Sequence, residues 1–331
     1  MTGGDGAPTP PPAVVLAGGE GTRLRPLTYR TPKQLLPVAG IPLLRRVLEP
    51  LEPAGVARVV LSTGYRAAAF ADLELAPFRV ELVSEESPLG SGGGLAHAIR
   101  TAELSGTFVA LNGDVIGDID VGAILDFHRR TEALATILLK PVEDPSEFGV
   151  AVVGPDGLVE RFVEKPPPPA PSDLINAGVW ILESSILDWV GKGQACSIER
   201  EIFPDLASRG QMRAFRHEGW WHDVGRLDRY LAATRDCIKW RALPERWRRD
   251  DGSLFAPDCE VDPSARVERS VLGAGARVGA GAQVVDSVLL DGASVGATAR
   301  VQRSIIGPES SVEEAEKVTD VIHADSAPEP R

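Results

Sequence analysis

Regular structure announces itself in short apolar runs. AVVLAGG (13–19), ARVVLST (57–63), FRVELVSEE (78–86) and GTFVALNGD (106–114) are rich in Val and Leu and end on Gly, Thr, Glu or Asp. Runs of this length and composition predict buried strands. The stretches between and after them, IPLLRRVLEPLEPAG (41–55), RAAAFADLEL (66–75), SGGGLAHAIRTAEL (91–104) and VGAILDFHRRTEA (121–133), place apolar residues at helical spacing. Strand alternating with helix predicts a doubly wound, mainly parallel, Rossmann-like α/β sheet, whose ligands lie beyond the carboxyl ends of the strands. The loops LAGGEGTR and LNGD fall at those ends.

From 135 to 182 the pattern turns strand-rich (ATILLKPV, FGVAVVGPDGLVERFVEKP, LINAGVWILE), which predicts a substrate-binding lobe built on the same sheet. SIEREIFPDLASRG (197–210) reads as a helix, QMRAFRHEGWWHDVG (211–225) as a strand, and RLDRYLAATRDCIKW (226–240) as a helix. KWRALPERWRR (239–249), basic with Trp interleaved, reads as a linker helix with its tryptophans packed inward, the alternative being a nucleic-acid surface.

The C-terminal part is periodic. Val261, Val278, Val295 and Val312 recur every seventeen residues, as do Val267, Val284, Val301 and Val318, then Leu272, Leu289 and Ile306, and Ser270, Ser287 and Ser304. Such a period predicts stacked coils of three short strands with aliphatic residues inward. It resembles the hexapeptide repeat of left-handed parallel β-helices with one residue dropped per coil, and about three coils fit. The expected division is a flexible leader (1–12), a catalytic domain (13–240), a linker (241–254), the β-helix (255–318) and a flexible tail (319–331). The β-helix offers a surface for packing or self-association into a homo-oligomer. Many acyltransferases use this repeat with a histidine base, but His97, His128, His217 and His222 precede it and His323 trails it.

Composition narrows the partners. No apolar run nears the roughly 18 residues of a membrane span. The N-terminal MTGGDGAPTPPPA lacks the basic residues of a secretory signal. Three cysteines, Cys196, Cys237 and Cys259, have no metal-ligand spacing and read as reduced, mostly buried thiols of a cytoplasmic protein. A formal charge of −12 opposes nucleic-acid or anionic-membrane affinity, so an anionic ligand must meet a local basic cluster. Arg23, Arg25, Arg30 and Lys33 form the densest one in the N-terminal half.

That cluster follows VVLAGGEGTRLRPLTYRTPKQLLPVAG (14–40), a strand running into glycines and then cations. Neither G-x-x-x-x-G-K-[ST] nor G-x-G-x-x-G is present. What remains is glycine backbone able to approach anionic oxygens, with Arg23 and Lys33 behind it, and this suits a phosphate chain. Asp114 alone can be a turn or helix-cap residue, with Asp118 and Asp120 as acidic neighbours. Asp120 is expected to cap the helix at 121.

LAGGEGTRLRPLTYRTPKQLLPVAG, followed in order by LGSGGGL, NGD, EFGV, VEKP, NAG and WHDVG, resembles the signature set of sugar-1-phosphate nucleotidylyltransferases over residues 13 to 235. SIEREIFPDLA and EESPLGSGGG look most like the mannose-1-phosphate guanylyltransferases within that family. The resemblance implies attack of a sugar 1-phosphate oxygen on the α-phosphorus of an NTP, with release of pyrophosphate. It places Arg23 on the β- and γ-phosphates, Lys33 on the α-phosphate and Lys165 on the sugar phosphate. Leu16, Ala17, Gly18, Gly19, Gly21, Thr22, Glu85, Gly90, Asn112 and Asp114 would hold the nucleotide. Gly149, Glu164, Asn176 and Gly178 would hold the sugar, and Asp114 and Asp223 would ligate Mg²⁺.

Base choice then has a physical argument. A carboxylate at Glu85 only accepts hydrogen bonds, and guanine presents two adjacent donors, so GTP is favoured; Glu86 is the alternative reader. Gln34 departs from the proline common after the lysine in guanylyltransferases. The alternatives are dTTP, UTP or ATP as nucleotide, glucose, heptose, N-acetylmuramate or cyclitol 1-phosphate as acceptor, and a regulatory paralogue without catalysis.

Overall fold

The computed structural model describes residues 10–71, 73–241 and 243–324. The expected leader therefore lies largely outside the described residues, as does the tail from 325 on. The chain divides into two compact units, one of residues up to Gly19 with Val47–Trp221, the other of Glu20–Arg46 with the chain from His222.

The first unit is built on a nine-stranded sheet. Its strands are β1 (Ala13–Ala17), β2 (Arg58–Thr63), β3 (Arg79–Ser84), β4 (Thr107–Asn112), β5 (Ala135–Pro141), β6 (Gly149–Val153), β7 (Val159–Glu164), β8 (Leu174–Glu183) and β9 (Met212–Arg216). The order is β7-β6-β8-β4-β1-β2-β3, with β5 on β8 and β9 on β5. The four strands foreseen from the apolar runs are mutually parallel, β1 between β2 and β4. β8 joins them antiparallel to β4 and carries the strand-rich lobe, in which β6 and β7 also pair antiparallel. Helix α1 (Gly90–Thr101) buries Leu95, Ala98 and Ile99 in the same cluster as Val14, Val60 and Ala110 of the parallel strands. Helix α2 (Val121–Thr131) is capped as expected, Asp120 Oδ1 accepting from the Ala123 N–H at 2.9 Å. Trp180 and Phe162 each meet Phe203 edge-on at 5.4 Å in the core under the lobe.

Three expected helices differ in this part of the chain. The one expected over 41–55 is α-helical only over Leu43–Leu48 and continues as a 3₁₀ turn, Glu49–Leu51. Among the described residues of 66–75, the regular structure is a 3₁₀ turn, Ala67–Phe70, because the alanine-rich run offers little beyond Phe70 and Leu75 to bury. The helix expected over 197–210 begins as a π-helical turn, Ile198–Ile202, before Phe203–Ser208 turns α. Pro204 has no N–H to donate and its ring crowds the carbonyl four residues back, so the chain widens ahead of it.

In the second unit, α3 (Leu227–Trp240) is followed by a short turn, Glu245–Trp247. The Arg248 guanidinium donates to the carbonyls of Ile238 and Arg241, satisfying the end of α3. Trp247 is half-buried, its ring 3.2 Å from where a β-carbon on Gly40 would sit. Trp240, expected inward, is 58% exposed under the Lys239 ammonium.

Three parallel sheets then stack with a seventeen-residue register, the arrangement of a left-handed β-helix. Strands begin at Leu254 and continue to Ile322–His323, so four coils are complete rather than three, and strand pairing passes Val318. The outward charges of EEAEK (313–317) hide the last coil in sequence, although Val312 and Val318 stay buried. The serine period has a cause in hydrogen bonding. Buried Ser253, Ser270 and Ser287 each accept the N–H of the serine one coil later at 3.1 Å, and Ser304 accepts that of Val321. Beside them, Arg269 pairs with Asp286 and Arg303 with Asp320 across successive coils. All three cysteines are free; Cys196 and Cys237 are buried, and burial with nearby Glu201 pushes the Cys196 thiol up to about 11.

Candidate active site

In the first unit the predicted residues gather at the carboxyl ends of the parallel strands. Leu16 and Ala17 close β1, and Leu16 is in register with Asn112, the last residue of β4. The Leu16 carbonyl accepts from the Gly113 N–H at 2.9 Å. Gly18 lies against Gly64, where a β-carbon would fall 3.4 Å from the Gly64 nitrogen and 3.8 Å from Glu85 Oε1. Gly19 has open space.

Glu85 follows β3 and is held on both oxygens. The Ser62 hydroxyl donates to Oε1 at 3.2 Å and the Leu89 N–H to Oε2 at 2.9 Å. Glu86 is exposed, whereas Glu85 is half-buried. A carboxylate has about four acceptor positions, so two remain, one on each oxygen. Gly90 opens α1 with φ +70°, and Gly92 and Gly93 donate to the Cys196 carbonyl. The glycine run after Leu89 thus serves close packing of α1 on residues 194–198 as well as any ligand.

A second group surrounds β8. Asn176 Oδ1 accepts from Trp180 Nε1 at 2.7 Å and from the Gly178 N–H at 3.1 Å. Gly178 has φ +73°, and a β-carbon there would meet Asn112 Nδ2 at 2.7 Å, so both conformation and space require glycine. Gly149 and Glu164 are register partners at the mouth of β6 and β7, with Glu164 Oε2 2.8 Å from a β-carbon on Gly149. Lys165 Nζ lies 3.7 Å from Glu164 Oε1 on left-handed backbone, φ +49°. Burial raises the Glu164 pKa, with Glu199 adding to the rise and Lys165 and Arg200 opposing it. Trp221 meets Phe148 edge-on at 5.8 Å and donates Nε1 to the Ala177 carbonyl.

Of the three acidic residues after β4, Asp118 lies 3.2 Å from His217 Nε2 and Asp120 caps α2. Asp114 is half-buried in the turn directly beyond β4.

The second unit holds Arg23 and Lys33. Gly21, at φ +64°, packs over Lys33 and Thr28, and its carbonyl accepts the Thr28 hydroxyl at 3.0 Å. Thr22 starts the 3₁₀ turn that carries Arg23, which is exposed. Arg25 is paired with Glu20 and stacked over Tyr29, a structural use that separates it from Arg23. Lys33 is half-buried, but Gln34 is 2% exposed with Oε1 lacking a hydrogen-bond partner. Arg23 Nη2 lies 3.0 Å and Asp223 Oδ2 3.9 Å from where a β-carbon on Gly225 would sit. Arg229 donates to Asp223 Oδ2 at 2.5 Å. His222 pairs with Asp236 of α3 at 2.7 Å.

Among the described residues no three His, Cys, Asp or Glu side chains form a cage for a metal ion. Asp114 in the first unit and Asp223 in the second each present a single carboxylate, the hard-oxygen type of group that a hard cation takes one or two of, with phosphate and water completing its shell. No helix among the described residues is long and apolar enough to cross a membrane. Ser62, Gly94, Glu199 and Arg229 were not foreseen. Each is recognised only by its spatial neighbour, and only the glycine run around Gly94 left a trace in sequence.

The nucleotidyl transferase family model matches residues 12–239, and that of the GMPPB C-terminal domain matches residues 251–326. A mannose-1-phosphate guanylyltransferase of Mycobacterium tuberculosis is 36% identical over 277 residues, 81% of this chain and 77% of that protein. A mannose-1-phosphate guanylyltransferase catalytic subunit beta of Drosophila melanogaster is 36% identical over 263 residues, 77% of this chain and 70% of that protein. The crystal structure of HddC from Yersinia pseudotuberculosis, also solved complexed with GMP-PN, superposes with a TM-score of 0.58 at 28% identity, covering 68% of this chain and 98% of that one. A putative glucose-1-phosphate thymidylyltransferase from Bacillus anthracis shares the fold, with a TM-score of 0.64 at 22% identity over 71% of this chain and 98% of that one.

Proposed function

Because the chain belongs to the nucleotidyl transferase family, we propose that it makes GDP-mannose from GTP and mannose 1-phosphate. A phosphate oxygen of the sugar attacks the α-phosphorus in line, the bond from that phosphorus to the bridging oxygen of the β-phosphate breaks, and pyrophosphate leaves with the electron pair. The attacking oxygen is already anionic at neutral pH, so no protein nucleophile or base is required. Catalysis consists of positioning and of neutralising charge that moves toward the leaving group.

Arg23 takes the β- and γ-phosphates, Lys33 the α-phosphate and Lys165 the sugar phosphate. Asn176 and Glu164 bind sugar hydroxyls, with Gly149 and Gly178 leaving room for the ring. Asp114 and Asp223 are the carboxylates for a divalent cation, Mg²⁺ in this reading, which supplies charge neutralisation on the phosphates.

The observation that carries the choice of GTP is the carboxylate of Glu85. Ser62 and Leu89 occupy one acceptor position on each oxygen. The two left match the adjacent N1–H and N2–H donors of guanine, while uracil and thymine would put an acceptor against it. The mannose assignment rests on the guanylyltransferase relatives. The test is kcat/KM for four NTPs against mannose, glucose, heptose, N-acetylmuramate and cyclitol 1-phosphates, read by pyrophosphate release. GTP with mannose 1-phosphate is expected to lead, and a preference for UTP or dTTP would overturn the base assignment.

A further inference from the structure

Arg229 sits in the first turn of α3 and its guanidinium is bonded to Asp223 Oδ2 at 2.5 Å. Both side chains are well covered, 22% and 17% exposed. This is a poor place for a cation on helix grounds, because the amino end of a helix carries partial positive charge and favours Asp or Glu. Asp228 beside it follows that preference and pairs with Arg226. What accounts for Arg229 is its ion pair. Arg23 reaches the same point over Gly225, so the Asp223 carboxylate sits near a second guanidinium as well.

A guanidinium bonded to a carboxylate competes for its oxygens and sets a positive charge a few ångströms from any ion that the carboxylate would bind. We propose that Arg229 is a resident counter-ion on Asp223 that suppresses binding of a divalent cation to the nucleotide-free protein. The cation would then bind well only together with phosphate anions, which offset the guanidinium charge. The inference deepens the assignment of Asp223 as a cation ligand made above and depends on it.

The test is Mn²⁺ titration of the nucleotide-free full chain, followed by electron paramagnetic resonance of the unbound ion. Arg229→Gln is expected to bind Mn²⁺ on the order of tenfold more tightly than wild type, from loss of one nearby like charge. Arg229→Lys, which keeps the charge, is expected to stay as weak as wild type. In Arg229→Gln/Asp223→Asn the gain is expected to vanish. Affinity in Arg229→Gln equal to or below wild type, or unmeasurable in both, overturns the inference. Equal tightening in Arg229→Lys also overturns it, since charge would then not be the cause. A gain that survives Asp223→Asn overturns the inference and the Asp223 assignment together. Loss of wild-type Mn²⁺ binding in Asp223→Asn, without a gain in Arg229→Gln, supports the assignment and rejects the inference alone.

Discussion

A β-carbon added to Gly94 would lie 2.6 Å from Oε1 of Glu85. Gly94 is in the body of α1, where glycine is disfavoured by about 1 kcal/mol relative to alanine. The helix therefore carries a residue unfavourable to itself at the point where the Glu85 carboxylate needs space. In Gly94→Ala the carboxylate, a side-chain end rather than backbone, is expected to give way and to lose its bond from Ser62. Thermal stability should change little, the helix propensity gained offsetting the hydrogen bonding lost, while kcat/KM for GTP falls about tenfold or more and that for UTP changes little. Differential scanning calorimetry beside the NTP series checks both halves.

Replacing Glu85 by glutamine keeps the size and exchanges one acceptor for a donor. GTP preference should drop by roughly tenfold to a hundredfold, since a donor facing a guanine donor leaves both unpaired. Ser62→Ala removes the bond to Oε1 and should weaken the preference less. An unchanged base profile in Glu85→Gln would reject it as the reader.

Lys165 is held beside Glu164 on left-handed backbone. Lys165→Ala is expected to lower kcat/KM for the sugar 1-phosphate by about a hundredfold or more, as for loss of a charge-stabilising donor. GTP affinity by calorimetry should change little. Equal losses for both substrates would show that the lysine serves the nucleotide instead.

Glu164 has its pKa raised by burial and then by Glu199. A carboxylate whose folded pKa is raised loses its charge at a higher pH than usual, and it lowers stability as pH rises from the ordinary carboxylate range through the raised value. Glu199→Gln removes one cause, so acceptor KM should resist acidification to a lower pH than in wild type. KM for the sugar phosphate measured from pH 7 downward gives the answer; an unmoved acid limb would show that Glu164 does not govern acceptor binding.

Asp286 is held below the ordinary carboxylate range by its hydrogen bonds from Arg269 and by that residue's charge. A depressed folded pKa contributes stability that is present above the ordinary value of about 3.9 and is lost as pH falls through the depressed one. In Asp286→Asn the dependence of the thermal midpoint on pH below about 4 should flatten, and the midpoint at pH 7 should be lower. A midpoint identical to wild type at both pH values would show that the pair contributes nothing.

The β-helix was the most legible part of the fold because each coil rests on a copy of itself. The same position meets the same environment every seventeen residues, and even the buried serines follow from the N–H one coil on. The parallel strands were legible for a related reason, their full burial leaving unbroken apolar runs. Segments whose form depended on a single residue were not: Pro204 opened a π-helical turn, and the alanine-rich stretch at 66–75 had too little to bury to remain a helix.

For the candidate site, sequence determined which residue types were available, glycines beyond β1, lysine and arginine after them, and carboxylates at 85, 114 and 223. Only the tertiary structure decided which partner engages which neighbour. Ser62 and the Leu89 N–H hold Glu85 and leave Glu86 exposed, and His217 and the α2 cap engage Asp118 and Asp120. Arg229 reached Asp223 by the turn into α3. Hydrogen bonds and ion pairs act over about 3 Å, and which groups fall within that reach is fixed by strand register and helix entry, distances that residue spacing does not encode.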